Sequence, residues 1–191
     1  MSAIARAFVA VVPPPVVLDA IEARVGPLRA GSQWVDDGLR WSRREQWHLT
    51  LRFLGRVADI EPLRDALRQV TAATDEFQLQ LGGTGAFRRA EHGTVLWIGL
   101  HEGRNELARL AAAVEGSVVD VGFEAEARGF NPHLTLARAN RPRDLQALLD
   151  ALGDGPVGSS WAVNELVLLA SDTRPTGPVY EERARFSLVS T

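Results

Sequence analysis

The chain has 191 residues, 46% hydrophobic and 24% charged, with a formal net charge of −3 and no cysteine. That balance belongs to a globular chain with room for a core. It excludes a disordered chain, a globally basic nucleic-acid binder, a thiol nucleophile, a thiolate zinc site and any disulfide. All 21 basic side chains are Arg, so neither a lysine-bearing phosphate loop nor a lysine Schiff base is available.

Residues 6–12 predict a buried strand, with an apolar run over residues 7–12. The run is too short to span a bilayer and ends at Pro13-Pro14-Pro15, so neither a secretion signal nor a membrane span is expected, and the protein is expected in the cytoplasm. The prolines open a helix with Val17, Leu18, Ile21 and Val25 on one face. Residues 31–38 predict a loop, residues 39–42 a short strand and residues 47–54 a clearer one. Asp59 can cap a second helix, where Leu63, Leu67 and Val70 repeat at helical spacing. Phe77, Leu79 and Leu81 alternate like a half-buried strand. Gly82-Gly83-Thr84-Gly85 predicts a turn, residues 95–100 a strand, and Leu107, Leu110, Ala111 and Val114 a third helix. Leu134 and Leu136 mark a strand and Leu145, Leu148, Leu149 and Leu152 a fourth helix. Residues 161–170 and 185–189 predict closing strands. The pattern is mixed α+β, and no linker or low-complexity segment divides it.

One tetrapeptide occurs twice: His48-Leu49-Thr50-Leu51 and His133-Leu134-Thr135-Leu136. With 24 Leu and 9 Thr in the chain, chance would place Leu-Thr-Leu after one of the other three His about two times in a thousand. The repeat is therefore not a by-product of composition. On a strand, side chains alternate between faces. Each copy then buries its two Leu and presents an imidazole beside a hydroxyl. Two imidazoles with pKa values near neutrality can act as base and acid on one reaction. Thr hydroxyls can donate hydrogen bonds to phosphate oxygens. In-line attack at phosphorus needs attacking and leaving groups on opposite sides, which a pair of such strands supplies with no metal required.

The paired His-x-Thr motifs resemble the signature of the two-histidine phosphoesterase superfamily. His48-Leu49-Thr50-Leu51-Arg52-Phe53-Leu54-Gly55 and Phe130-Asn131-Pro132-His133-Leu134-Thr135-Leu136-Ala137-Arg138 are similar to the two motifs of the RNA 2′,3′-cyclic phosphodiesterases, also called 2′-5′ RNA ligases or LigT-like proteins. The segments Arg6-Ala7-Phe8-Val9-Ala10 and Leu39-Arg40-Trp41 also fit. The resemblance implies a bilobal, pseudo-symmetric α+β fold over residues 1–191, a single domain of two lobes. Two antiparallel sheets would line a central cleft, with helices outside and one motif strand per lobe. It implies opening of an RNA 2′,3′-cyclic phosphate to a 2′-phosphomonoester, with 2′-5′ ligation as the reverse, and neither metal nor cofactor. By the same resemblance His48 would protonate the 3′ oxygen, His133 would activate water, and Thr50, Thr135 and Arg138 would hold the phosphate. The implied partner is RNA with a cyclic-phosphate end, tRNA-like fragments included. No segment of the sequence suggests an interface, so a monomer is expected.

Arg138 follows His133 by an odd offset, so a bend or bulge is needed to bring both to one face. Arg40, Arg43 and Arg44 with Trp41 and Trp47 can guide a single strand or form a solvated edge. Phe53 can pack in the core or stack on a base. Arg141 and Arg143 can extend a positive rim. His92 and His101 lack ligand-spaced partners, and Tyr180 carries no pattern. Two other functions fit the same residues: a two-histidine phosphoesterase acting on a small cyclic nucleotide, a cyclic phosphate of ADP-ribose or a 2′-5′ oligonucleotide, and a non-catalytic RNA-binding module.

Overall fold

The computed structural model describes residues 4–31, 38–174 and 177–190. Among these residues, nine strands and four helices follow one another as β1 (Ile4–Val11), α1 (Pro15–Ala30), β2 (Leu39–Trp41), β3 (Leu49–Val57), α2 (Glu61–Ala72), β4 (Phe77–Phe87), β5 (Gly93–Glu102), α3 (Arg104–Asp120), β6 (Leu134–Arg143), α4 (Gln146–Leu152), β7 (Val157–Val163), β8 (Glu165–Arg174) and β9 (Gly177–Ser187). The strands form one sheet in the order β7-β4-β5-β6-β3-β1-β8-β9, with β2 added to β6. Its strand pairs are antiparallel.

The expected pair of sheets is thus two arms of one sheet. One arm is β3-β1-β8-β9 and the other is β6-β5-β4-β7. They meet at a single residue pair, Leu49 with Leu134. Helices α2 and α3 pack on the first arm, and α1 and α4 on the second. The chain crosses repeatedly from arm to arm, which is why no linker is legible along it.

The apolar spacings fold as elementary periodicity dictates. Val17, Ile21 and Val25 are buried along α1, and Leu63, Leu67 and Val70 along α2. The Asp59 carboxylate accepts the Glu61 N–H at 3.1 Å, satisfying a donor at the start of α2. At the head of α3, Gly103 sits at φ 79°, and a Cβ there would lie 2.2 Å from the Gln78 carbonyl oxygen. Only glycine meets both demands.

Three expectations need correction. Gly82-Gly83-Thr84-Gly85 is not a turn but lies within β4. A Cβ on Gly85 would meet the indole of Trp97 at 2.2 Å, so the missing side chain seats a cross-strand aromatic rather than reversing the chain. Residues 161–170 are not one strand: β7 ends at Val163 and β8 begins at Glu165. The last strand begins at Gly177, well before residue 185. Of the expected loop over residues 31–38, residues 32–37 lie outside the described ones.

Candidate active site

Both motifs sit at the junction of the two arms. His48 immediately precedes β3 and His133 immediately precedes β6. Leu49 and Leu134 are fully buried as partners across the junction. In an antiparallel pair, one step either way sets His48 beside Thr135 and Thr50 beside His133, all four on the opposite face from the leucines. That face opens into a cavity of about 400 Å³ lined by both imidazoles and both threonines.

Past the threonines each strand carries a bulge, and at the same place. Val9 pairs with Arg52 but Ala10 with Thr50, leaving Leu51 as the extra residue of β3. Leu96 pairs with Ala137 but Trp97 with Thr135, leaving Leu136 as the extra residue of β6. A bulge inserts one residue and reverses the alternation of faces. Phe53 and Arg138, each five positions after its histidine, therefore turn back into the cavity. The residues one position earlier turn away. Ala137 is fully buried, and Arg52 leaves the cleft to pair with Glu115 of α3 and to donate to the Glu124 carbonyl. The Arg138 guanidinium donates to Thr135 Oγ1 at 3.4 Å, which leaves the threonine O–H free to donate elsewhere.

The histidines are held alike. His48 Nδ1 is 2.8 Å from the Gln46 carbonyl oxygen, and His133 Nδ1 is 2.8 Å from that of Asn131. A carbonyl only accepts, so in each ring Nδ1 carries the hydrogen and Nε2 is left for the cavity. Each ring also rests on an aromatic. His48 packs on Phe8 with ring centroids 4.7 Å apart and meets Tyr180 edge-on at 5.2 Å. His133 meets Phe87 edge-on at 4.5 Å. Burial pulls the His48 imidazole down from 6.5 to about 4; the Gln46 hydrogen bond opposes this, and the positive fields of His133 and Arg138 add to it. His133 is lowered too, first by burial and further by Arg138, against its bond to Asn131. Burial raises the Tyr180 hydroxyl, with Arg138 and Arg6 opposing.

The other residues singled out in the sequence divide. Arg40, Trp41 and Arg43 line the cavity. Trp47 does not; it is 2% exposed and belongs to the core. Arg44 pairs with Asp19 at 2.7 Å. Phe53 is 54% exposed, so the core reading of that residue falls. Arg141 and Arg143 face a neighbouring depression with Gly38 and Asn140. His92 and His101 are exposed and away from the cavity. Among the described residues no three His, Asp or Glu side chains gather as a metal site, and no helix is long and apolar enough to cross a membrane.

Among the cavity residues outside the sequence reading, Tyr180 and Gln46 bear directly on His48. Tyr180 comes from β9, whose beginning had no legible strand pattern. Gln46 ties three parts together. Its carbonyl holds His48, its side-chain oxygen accepts the Arg43 N–H at 2.8 Å, and its amide donates to the Pro178 carbonyl at 2.6 Å. The only advance signal was its place two residues before a motif histidine.

Comparison with known proteins identifies the family and the fold. The profile of the 2′-5′ RNA ligase superfamily matches residues 17–175. An RNA 2′,3′-cyclic phosphodiesterase of Aeropyrum pernix is 36% identical over 140 residues, covering 72% of this chain and 79% of the relative. A crystal structure of a Thermus thermophilus protein superposes with a TM-score of 0.74 at 30% identity, over 96% of this chain and 97% of that one. Escherichia coli LigT complexed with 3′-AMP superposes with a TM-score of 0.72 at 26% identity, over 98% and 99%. With the profile spanning well over half of its length, the chain belongs to the 2′-5′ RNA ligase superfamily.

Proposed function

We propose that the protein is an RNA 2′,3′-cyclic phosphodiesterase, a metal-independent hydrolase that opens the cyclic phosphate to a 2′-phosphomonoester and a free 3′ hydroxyl. The observation that carries this reading is the pair of imidazoles with Nδ1 committed to a carbonyl and Nε2 left for one cavity. His133 takes a proton from water as its oxygen attacks phosphorus, and His48 gives a proton to the 3′ oxygen as the P–O3′ bond breaks. Thr50, Thr135 and Arg138 hold the non-bridging oxygens and the charge that gathers on them. Phe53 and Trp41 supply apolar surface for the terminal nucleoside. In ligation the 5′ hydroxyl of a second RNA takes the place of water: it attacks the phosphorus of the cyclic phosphate, the P–O3′ bond breaks, and a 2′-5′ linkage remains. The substrate is RNA with a cyclic-phosphate end, tRNA-like fragments among the candidates, and the enzyme is a cytoplasmic monomer built as one domain of two lobes.

One observation favours a second assignment of roles. The free site holds His48 further toward neutrality than an ordinary imidazole, down to about 4, which suits a base. In the first assignment His48 gains its proton together with the anionic phosphate, whose charge favours imidazolium. A substrate with sulfur in place of the 3′ oxygen separates the two, because a thiolate leaves without an acid. Rescue of His48→Ala by this substrate supports the first assignment, and rescue of His133→Ala exchanges the roles. Turnover of cyclic-phosphate RNA in excess EDTA, with the product identified by phosphorus NMR, tests the reaction itself. A 2′-phosphate is expected, and loss of activity on chelation overturns the metal-free mechanism.

A further inference from the structure

The proposed chemistry draws on one cation, Arg138, yet the cavity holds three. Arg40, Arg43 and Arg138 all line it, and among the described residues no Asp or Glu does. Arg40 lies directly across from Arg138 in the β2–β6 ladder, a position in which like charges repel. Their neighbour Arg44 is matched by Asp19. Among the described residues no carboxylate makes an ion pair with Arg40, Arg43 or Arg138. This is concentrated positive charge in a chain whose net charge is −3. A cyclic phosphodiester brings one negative charge. Against three guanidiniums, that one charge leaves at least two unmatched when it binds.

The two extra cations are built in. Strand β2 is fixed to β6 by Leu39 with Ala139, Arg40 with Arg138 and Trp41 with Ala137, and the Ser42 N–H extends the pairing to the Leu136 carbonyl at 2.7 Å. Arg40 thus rides on the strand that pairs with the carrier of Thr135 and Arg138. The Arg43 N–H is held by the Gln46 side chain, whose backbone carbonyl orients His48. We propose that Arg40 and Arg43 form a second phosphate subsite, which takes the phosphate group 5′ of the terminal nucleoside while the cyclic phosphate sits between the histidines. The preferred substrate is then a nucleotide carrying that second phosphate, not a nucleoside 2′,3′-cyclic monophosphate. The inference rests on the reaction proposed above.

The test compares kcat/KM for three cyclic phosphates: adenosine 2′,3′-cyclic phosphate, its 5′-phosphorylated form, and the dinucleotide ApA ending in a cyclic phosphate. Charge-assisted phosphate contacts predict a preference of about tenfold or more for the dinucleotide over the nucleoside. In the Arg40→Gln/Arg43→Gln double variant that ratio falls toward one, whereas Arg141→Gln, on the adjacent depression, keeps it. Melting curves confirm that the variants fold. If the 5′-phosphorylated form matches the dinucleotide, a terminal phosphate fills the subsite; if it behaves like the nucleoside, the internucleotide linkage does. A wild-type ratio near one, or an unchanged ratio in the double variant, overturns the subsite and leaves the reaction standing. If none of the three is turned over, the reaction falls and binding decides the subsite. The 2′-phosphate of ApA should then bind at least tenfold more tightly than adenosine 2′-phosphate to wild type only, and equal binding overturns it.

Discussion

The two motif strands repeat each other closely enough that their differences are informative. Each begins with a histidine locked by the carbonyl two residues earlier, buries two leucines, places a threonine beside the other strand's histidine and bulges at the second leucine. The copies part at the residue the bulge returns to the cavity, an exposed phenylalanine on β3 and an arginine on β6. They part also in support. His48 lies between Phe8 and Tyr180, with its carbonyl partner braced by the Gln46 side chain. Within the described residues His133 has Phe87 alone among ring contacts, and the side chain of Asn131 makes no hydrogen bond. In the proposed reaction the shared parts would handle protons and the phosphate, which are nearly symmetric about phosphorus. The divergent parts would meet a substrate that has a nucleoside on one side only.

Removing either histidine breaks the comparison most severely. His48→Ala and His133→Ala should each lower single-turnover rates by about 10²–10⁴-fold, or roughly 3–5.5 kcal/mol of barrier. The double variant should fall short of the product of the two losses, since the pair acts as a unit. A folded single variant that keeps more than about a tenth of wild-type turnover would contradict a proton-transfer role for that residue.

The unequal burial of the two rings predicts a difference in pH response. A histidine whose pKa is about 4 when folded and 6.5 when unfolded takes up its proton more readily in the unfolded chain. Stability should therefore fall as pH drops from about 6.5 to 4 and level off below, by at most about 3 kcal/mol from this group. Melting in that window should flatten in His48→Gln and change less in His133→Gln. Equal flattening by the two variants would remove the asymmetry.

The bracing predicts a smaller effect. Gln46→Ala loses two side-chain hydrogen bonds, to the Pro178 carbonyl and from the Arg43 N–H, and should cost about 1–3 kcal/mol in denaturant unfolding. Asn131→Ala should be nearly neutral. Comparable losses at the two positions would mean the brace is not specific to the His48 side. Smallest at the site itself, Gly85→Ala should lower stability by about 1–3 kcal/mol by overpacking Trp97. Because Trp97 abuts Phe87, and Phe87 abuts His133, any loss of kcat should appear with little change in KM.

The helices and most strands were legible because their apolar spacing is local, and the histidine and threonine pairs because four residues repeat in order. The bulge showed only as a difficulty, the odd offset of Arg138. That Phe53 stands at the same offset was equally open to view, but a strict alternation of faces assigns it elsewhere. Tyr180 was out of reach because the sheet brings β9 into the cavity from far along the chain. The role of Gln46 is carried largely by its backbone, which every residue type possesses. The Gly82–Gly85 run misled because glycine marks turns far more often than it marks a neighbour's indole lying where a side chain would be.

The commitment of each Nδ1 to a carbonyl bears on what happens between turnovers. Each ring exchanges protons through one atom only, the one that faces substrate. With the roles proposed above, a completed hydrolysis leaves His48 without its proton and His133 with one. That is the starting arrangement for the opposite reaction, closure of the 2′-phosphomonoester back to the cyclic phosphate; ligation, in which an RNA hydroxyl replaces water, needs the same starting protons as hydrolysis. It returns to its starting state only when the same mouth that admits RNA admits solvent, once product has left. Whether hydrolysis or ligation follows is then decided by which nucleophile meets the next cyclic phosphate, water or an RNA hydroxyl, and the proton positions are the same for both.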